Sequence, residues 1–173
     1  SLFTVDNVIK KLNIKLIDRH PNVFGIGEKS LSWEEQKHIK KKRKSRLDGV
    51  PLKLPALVRS QRLQQKASEV GFDWDNINSV WDKVYEELDE LKNAYRECNE
   101  KKIQEEIGDM LFSIVNLSRH LNISAEDVLR KGNKKFIKRF KTIEKTVKKR
   151  GLNIEELSLK EMDQIWDQIK LRE

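Results

Sequence analysis

Two short acidic runs hold the residues of this chain best placed to do chemistry, Glu86-Glu87-x-x-Glu90 and Glu105-Glu106-x-x-Asp109. Within each run two carboxylates stand three residues apart, and on a helix such residues lie roughly 5–6 Å from one another. Brought together from two helices, Glu87, Glu90, Glu106 and Asp109 make a hard, oxygen-only donor set. Magnesium or manganese suits such a set, with water completing the octahedron. Without a cation the same carboxylates raise one another's pKa, and some hold protons. In a chain with 28 Asp and Glu a single acidic residue is as a rule a solvated one. Two matched pairs bordering apolar stripes on consecutive helices are what favours a metal site here.

The elements that must carry these residues follow from the hydrophobic period. Val80, Trp81, Val84, Leu88 and Leu91 recur at 3.6-residue spacing, which predicts a helix from Ser79 to about Asn99. Glu87 falls at the edge of its apolar arc and Glu90 just beyond. Ile103, Ile107, Met110, Ile114, Leu117 and Leu121 make the stripe of a second helix, from about Glu100 to Leu121. Leu111, Phe112 and Val115 widen that stripe, which predicts burial on most sides. A short joint around Cys98 to Lys101 makes the two helices antiparallel neighbours. Gly108 would let a neighbouring backbone come close, at about 1 kcal/mol of helix propensity.

Cations stand on later helices. Ser124, with Asp127 three residues on, starts the longest helix, Ala125 to Arg150, which Gly151 closes. Leu129, Phe136, Phe140, Ile143 and Val147 form its apolar stripe, and Lys131, Lys135 and Arg139 a ladder of cations on another face. Ser158 and Glu161 form a capping box for a last helix, on which Trp166 and Lys170 lie four apart. Earlier, Pro55 takes the first position of a helix ending at Gly71, and Trp74, in an aromatic loop, reads as a core plug, with base stacking the alternative. Carboxylates that hold a divalent ion, facing a Lys/Arg ladder, make a site for a polyphosphate. No Gly-rich phosphate loop is present, which excludes a Walker-type ATPase.

The 173 residues suffice for one domain with a core of its own, and 37% hydrophobic against 37% charged fits long amphipathic helices. No alternating run reads as a strand, so the expected fold is an all-α helical bundle. The single cysteine, Cys98, fits a reducing compartment, and no apolar run reaches the ~20 residues that cross a bilayer. A cytoplasmic protein is expected, and its opening at Ser1 suggests that the true N-terminus lies further upstream. The net charge of +8 raises nucleic acid as a partner, with Lys40-Lys41-Lys42-Arg43-Lys44 the densest cluster. A solvated helix end or linker accounts for that cluster more simply.

Lys83-Val84-Tyr85-Glu86-Glu87-Leu88-Asp89-Glu90-Leu91, followed by Glu105-Glu106-Ile107-Gly108-Asp109-Met110-Leu111-Phe112, resembles the MazG nucleoside triphosphate pyrophosphohydrolases. Lys66-Ala67-Ser68-Glu69-Val70-Gly71-Phe72-Asp73-Trp74 is similar to the entrance of that family's module, and the likeness covers roughly residues 50 to 171. The resemblance implies an all-α pyrophosphatase bundle that dimerises and splits a nucleoside triphosphate and water into nucleoside monophosphate and pyrophosphate. It further implies Glu87, Glu90, Glu106 and Asp109 as magnesium ligands, Lys135 and Arg139 on the phosphates, and Trp166 and Lys170 reaching the nucleotide. Lys83, Lys102, Glu86 and Glu105 would line the site, with Glu86 a candidate to orient the attacking water.

Thr4 to Arg19 reads as a helix and aligns with Ser124 to Arg139 at a shift of 120 residues. Val8, Lys11, Asn13, Lys15, Ile17 and Arg19 meet identical residues at 128, 131, 133, 135, 137 and 139. Trp33 to Lys37 echoes Trp166 to Lys170, and a helix from Trp33 to about Arg46 is expected, capped by Ser32. Residues 1–49 are therefore expected to be the tail of a preceding module and a linker, without catalytic carboxylates, and 50–173 the catalytic module. Two competing functions remain at this level. One is a non-catalytic basic module that binds RNA or a protein; the other is a narrower hydrolase acting on dUTP or phosphoribosyl-ATP.

Overall fold

The computed structural model describes residues 4–19 and 44–171. The helix expected from Trp33, its Ser32 cap and most of the 40–44 basic run lie outside them, and the described end of that expected helix, residues 44–46, is bend and turn. The chain divides into two compact units, the first ending at Gly49 and the second beginning at Val50. Among the described residues the regular structure is helical, with no strand.

In the first unit, α1 (Val5–Arg19) leaves Val5, Ile9, Leu12 and Ile14 exposed. The turn that ends the unit is tied by Asp48, whose carboxylate accepts from the backbone N–H of Lys44 and Ser45 at 2.9 and 3.0 Å. The second unit runs α2 (Ala56–Ser68), α3 (Ile77–Arg96), α4 (Glu100–His120), α5 (Ala125–Lys149), a 3₁₀ turn at Ile154–Glu156, and α6 (Leu159–Lys170).

Side-chain caps fix where these helices start. Asn76 accepts from the Ser79 N–H, so α3 begins at Ile77, two residues before the helix start read from Ser79. Asn99 caps α4 and Ser124 caps α5, each by accepting from the N–H three residues on. Ser158 and Glu161 close a reciprocal capping box on α6. Pro55 stands at the N-cap of α2 in an extended conformation, one position earlier than expected.

Four of the helix ends share one device. Gly71, Cys98, Asn122 and Gly151 have positive φ, and the following N–H reaches back to a carbonyl five residues earlier. These bonds run Phe72→Ala67, Asn99→Ala94, Ile123→Ser118 and Leu152→Val147 at 2.8 to 3.2 Å. Each reverses the chain sharply and satisfies an otherwise orphaned carbonyl. At Gly71 and Gly151 the left-handed turn costs nothing, while Cys98 and Asn122 accept a small strain for it.

α3 and α4 fold back on one another and form the main contact of the second unit. Val80 and Val84 of α3 meet Leu117 of α4, with Ile77 and Met110 packed alongside. A second cluster joins Ile143 and Val147 of α5 to Ile165 of α6, flanked by Ile154, Leu157, Trp166 and Ile169. Burying one such aliphatic side chain stabilises by about 1.5–3 kcal/mol, so each small cluster depends on every member.

Several expectations about burial are overturned. α4 is not covered on most sides: Leu111 is 55% exposed, and Ile107, Phe112 and Ile114 are exposed too. On α5, Leu129 and Phe136 are exposed, and Trp74 is no core plug, since 41% of it is open. Around Gly108 there is open space for a Cβ, so among the described residues no backbone approaches there. On α4 and α5 the sequence period marks the apolar face correctly, but among the described residues no element lies on it.

Candidate metal and phosphate site

The α3/α4 pairing decides which of the acidic residues meet. Carboxylate oxygens of Glu87, Glu106 and Asp109 lie within 4.8 Å of one another. Glu87 is buried, at 5% exposure, Glu106 is half-buried and Asp109 exposed, so the cluster opens from the helix interface to solvent. Glu90 stands outside this close group, yet near enough for its charge to act on Glu106. The Glu106 carboxyl titrates above its ordinary range, first because it is desolvated and then because Glu90, Glu87 and Asp109 repel its charge.

The donors fit a hard divalent cation. Magnesium takes oxygen ligands at about 2.0–2.1 Å, which sets opposite oxygens about 4.1 Å apart. Three carboxylate oxygens within 4.8 Å need only small side-chain rotations to converge on such an ion.

Lys83, one turn before Glu87, bridges Glu87 at 2.8 Å and Glu86 at 2.9 Å. The two carboxylates push the Lys83 ammonium well above its ordinary pKa, so it stays charged beside the buried Glu87. Glu86 itself is more than half exposed, and the same ammonium draws on its lone pairs. Lys102 pairs with Glu97 at 3.8 Å and lends some positive potential to Glu106. Glu105 points to solvent beside Lys101.

The expected phosphate and nucleotide residues form a second group, on α5 and α6. The Arg139 guanidinium lies over the Trp166 ring, 5.4 Å from its centroid. Phe136 flanks the same ring at 5.6 Å and stacks on Phe140 at 6.0 Å. Lys135 is exposed one turn before Arg139, and Lys170 pairs with Asp167 at 3.2 Å.

Three further features stand beside these groups, and the sequence points to one of them, the Gln61–Gln65 face, as a surface that sets base preference. Asp73, next to Trp74, accepts from Arg119 Nη1 at 2.8 Å and also meets Arg119 Nη2 and His120 Nε2. The Arg119 guanidinium holds the Asp73 carboxyl down, from 3.8 to about 2, and His120 adds to the effect. His120 Nε2 lies 2.9 Å from both Arg119 Nη2 and Asp73 Oδ1, so it accepts from the arginine when neutral there and donates to the carboxylate when protonated. Secondly, Gln64 is buried, donates to the Phe112 carbonyl at 2.8 Å and leaves its Oε1 unpartnered among protein atoms. Thirdly, Val58, Gln61, Arg62, Gln65 and Ser124 line a cavity of about 240 Å³, an amide and guanidinium surface able to pair with a polar ring edge.

Comparison with known proteins identifies the family. The model of the MazG nucleotide pyrophosphohydrolase domain matches residues 76–143, which hold both acidic runs and the Lys/Arg ladder. A Thermotoga maritima protein named nucleoside triphosphate pyrophosphohydrolase/pyrophosphatase MazG is 45% identical over 172 residues, covering 97% of this chain and 66% of the relative. An Escherichia coli nucleoside triphosphate pyrophosphohydrolase is 39% identical over 182 residues, covering 99% of this chain and 69% of the relative. The uncharacterised Bacillus subtilis protein YabN is 39% identical over 97% of this chain, which spans 36% of it. The chain thus spans about two thirds of the length of the first two relatives. With identity of this order running through both units, the chain belongs to the MazG nucleotide pyrophosphohydrolase family.

Proposed function

We propose that the chain hydrolyses nucleoside triphosphates between the α- and β-phosphates, giving nucleoside monophosphate and pyrophosphate, and that it needs magnesium to do so. The observation that carries the reading is the convergence of Glu87, Glu106 and Asp109 within 4.8 Å on the α3/α4 pair. These three, joined by Glu90, would hold the ion. Bound there, a divalent cation would screen the phosphate charge and acidify the attacking water.

The protein's own groups supply the rest. Lys83 holds the Glu87 carboxylate at the cluster through its ion pair, while Lys102 tempers the repulsion that Glu106 feels. Lys135 and Arg139 hold the phosphate tail, Lys170 stands at the nucleotide end, and Trp166 lies beside Arg139. Glu86 orients the water and takes its proton, and Glu105 completes the acidic rim. The exposed apolar positions Trp81, Tyr85, Ile107, Leu111 and Phe112 favour a homodimer, in which a second copy covers the outer face of α3 and α4. Among the described residues no helix is long and apolar enough to cross a membrane, and with one exposed cysteine the cytoplasm is the proposed setting.

Turnover of ATP, dUTP and other nucleotides with and without magnesium, with products resolved by phosphorus NMR, tests the proposal. The expected products are monophosphate and pyrophosphate. Orthophosphate with diphosphate would refute the cleavage position, and no turnover of any nucleotide would refute the enzyme reading.

A further inference from the structure

We propose that Trp166 is a positioning residue for Arg139: its ring holds the guanidinium in place for phosphate, and Phe136 holds the ring. The inference deepens the proposed function and rests on its assignment of Arg139 to the phosphate tail. Two independent contacts meet on the indole. Arg139 lies over it at 5.4 Å, within the range at which a guanidinium is attracted by the negative face of a ring. Phe136 leans on it at 5.6 Å with planes 50° apart, the tilted arrangement that aromatic pairs favour.

The ring is itself anchored. Trp166 packs against the cluster of Ile143, Val147 and Ile165 that joins α5 to α6. A long, flexible arginine is thereby tied to the packed cluster that joins α5 to α6. An arginine restrained before phosphate arrives loses less side-chain freedom on binding it. A base stacked on Trp166 would have to compete with the cation already on the ring. The indole therefore acts on the phosphates through Arg139, whatever base the nucleotide carries.

The test is calorimetric binding of inorganic tripolyphosphate and of ATP, each with magnesium, to the full chain. The proteins compared are wild type, Trp166→Leu, Trp166→Phe, Arg139→Ala and the Arg139→Ala/Trp166→Leu double variant. Trp166→Leu is expected to weaken both ligands by the same factor, about two- to fivefold, the range for a partly exposed cation on a ring. Trp166→Phe keeps an aromatic face and restores most of the affinity, and Trp166→Leu costs nothing further once Arg139 is alanine. Loss confined to ATP, or losses that multiply in the double variant, would overturn the proposal, as would a wild type that binds no tripolyphosphate. A second readout is the Arg139 Nε–H proton resonance, shifted upfield by the ring in the wild type and released in Trp166→Leu. An unshifted wild-type resonance also overturns the proposal. Binding is read without turnover, so an inactive wild type that shows this coupling refutes the hydrolase reading and leaves the positioning role standing.

Discussion

Replacing Asp73 by Asn removes one charge and almost no volume, and the structure fixes what that should cost. Asp73 ties the loop between α2 and α3 to the end of α4 through Arg119 and His120. Its carboxyl falls from 3.8 to about 2 in the folded chain. At about 1.36 kcal/mol per unit, that displacement corresponds to about 2.4 kcal/mol. The side chain is 25% exposed, so solvent screening lowers the expected contribution to about 1–2 kcal/mol. The sign follows from the depressed pKa. Stability is fully present above pH 3.8 and is lost as pH falls toward 2, where the native carboxylate takes up its proton. Urea unfolding of wild type and Asp73→Asn, followed by circular dichroism at 222 nm, should show this gap at pH 7. Near pH 2 the gap should close, because a protonated aspartate and an asparagine are close to isosteric. A gap that stays constant down to pH 2, or none at pH 7, would refute the ion-pair account of this loop.

Other consequences can be checked separately. Glu87→Gln and Asp109→Asn should each lower magnesium-dependent pyrophosphate release by about 100-fold or more, the worth of several kcal/mol of charge stabilisation, with the helical dichroism unchanged; near-normal turnover in either would remove the metal assignment. Because the Glu106 carboxyl is raised, its ionised form carries a folding penalty that appears as pH rises above its ordinary 4.5, and magnesium should relieve it. Magnesium affinity by calorimetry should accordingly strengthen with rising pH through that range, and Glu106→Gln should flatten the profile; an unchanged profile would show that Glu106 is not a ligand. Gly108→Ala should raise the stability of the isolated chain by about 0.5–1 kcal/mol, since open space receives the methyl group; a loss would reveal a surface packed on α4 in solution. Ser158→Ala should cost about 1 kcal/mol in urea unfolding, because it opens the capping box of α6.

Much of the fold was legible because it is written in local code. The caps Ser124 and Ser158, the turns at Gly71 and Gly151, and the stripes of α3 and α5 each depend on residues within one or two turns of each other. Glu87 was legible for the same reason, since its angle to Val80, Val84 and Leu88 put it at the core's edge, where it is buried. What could not be read was partnership across the chain. Asp73 and Arg119 are 46 residues apart, and nothing in either neighbourhood names the other. The Arg139 and Trp166 pair likewise depends on how α6 packs against α5, and a four-residue ladder shows only that the cations share a face. The exposure of Leu111 and Phe136 is not legible because a period reports which face is apolar and says nothing about what lies on it, and Trp74 stands in a loop that has no period at all.

The turn between α3 and α4 offers a vantage point on all of this. Its left-handed residue, Cys98, is the chain's single cysteine and is exposed. A maleimide spin label therefore attaches at one known place, at the tip of the hairpin that carries the carboxylates, with no other thiol to remove. If copies associate, the spacing between two such labels becomes a ruler between hairpin tips, and adding magnesium or nucleotide shows whether that spacing changes.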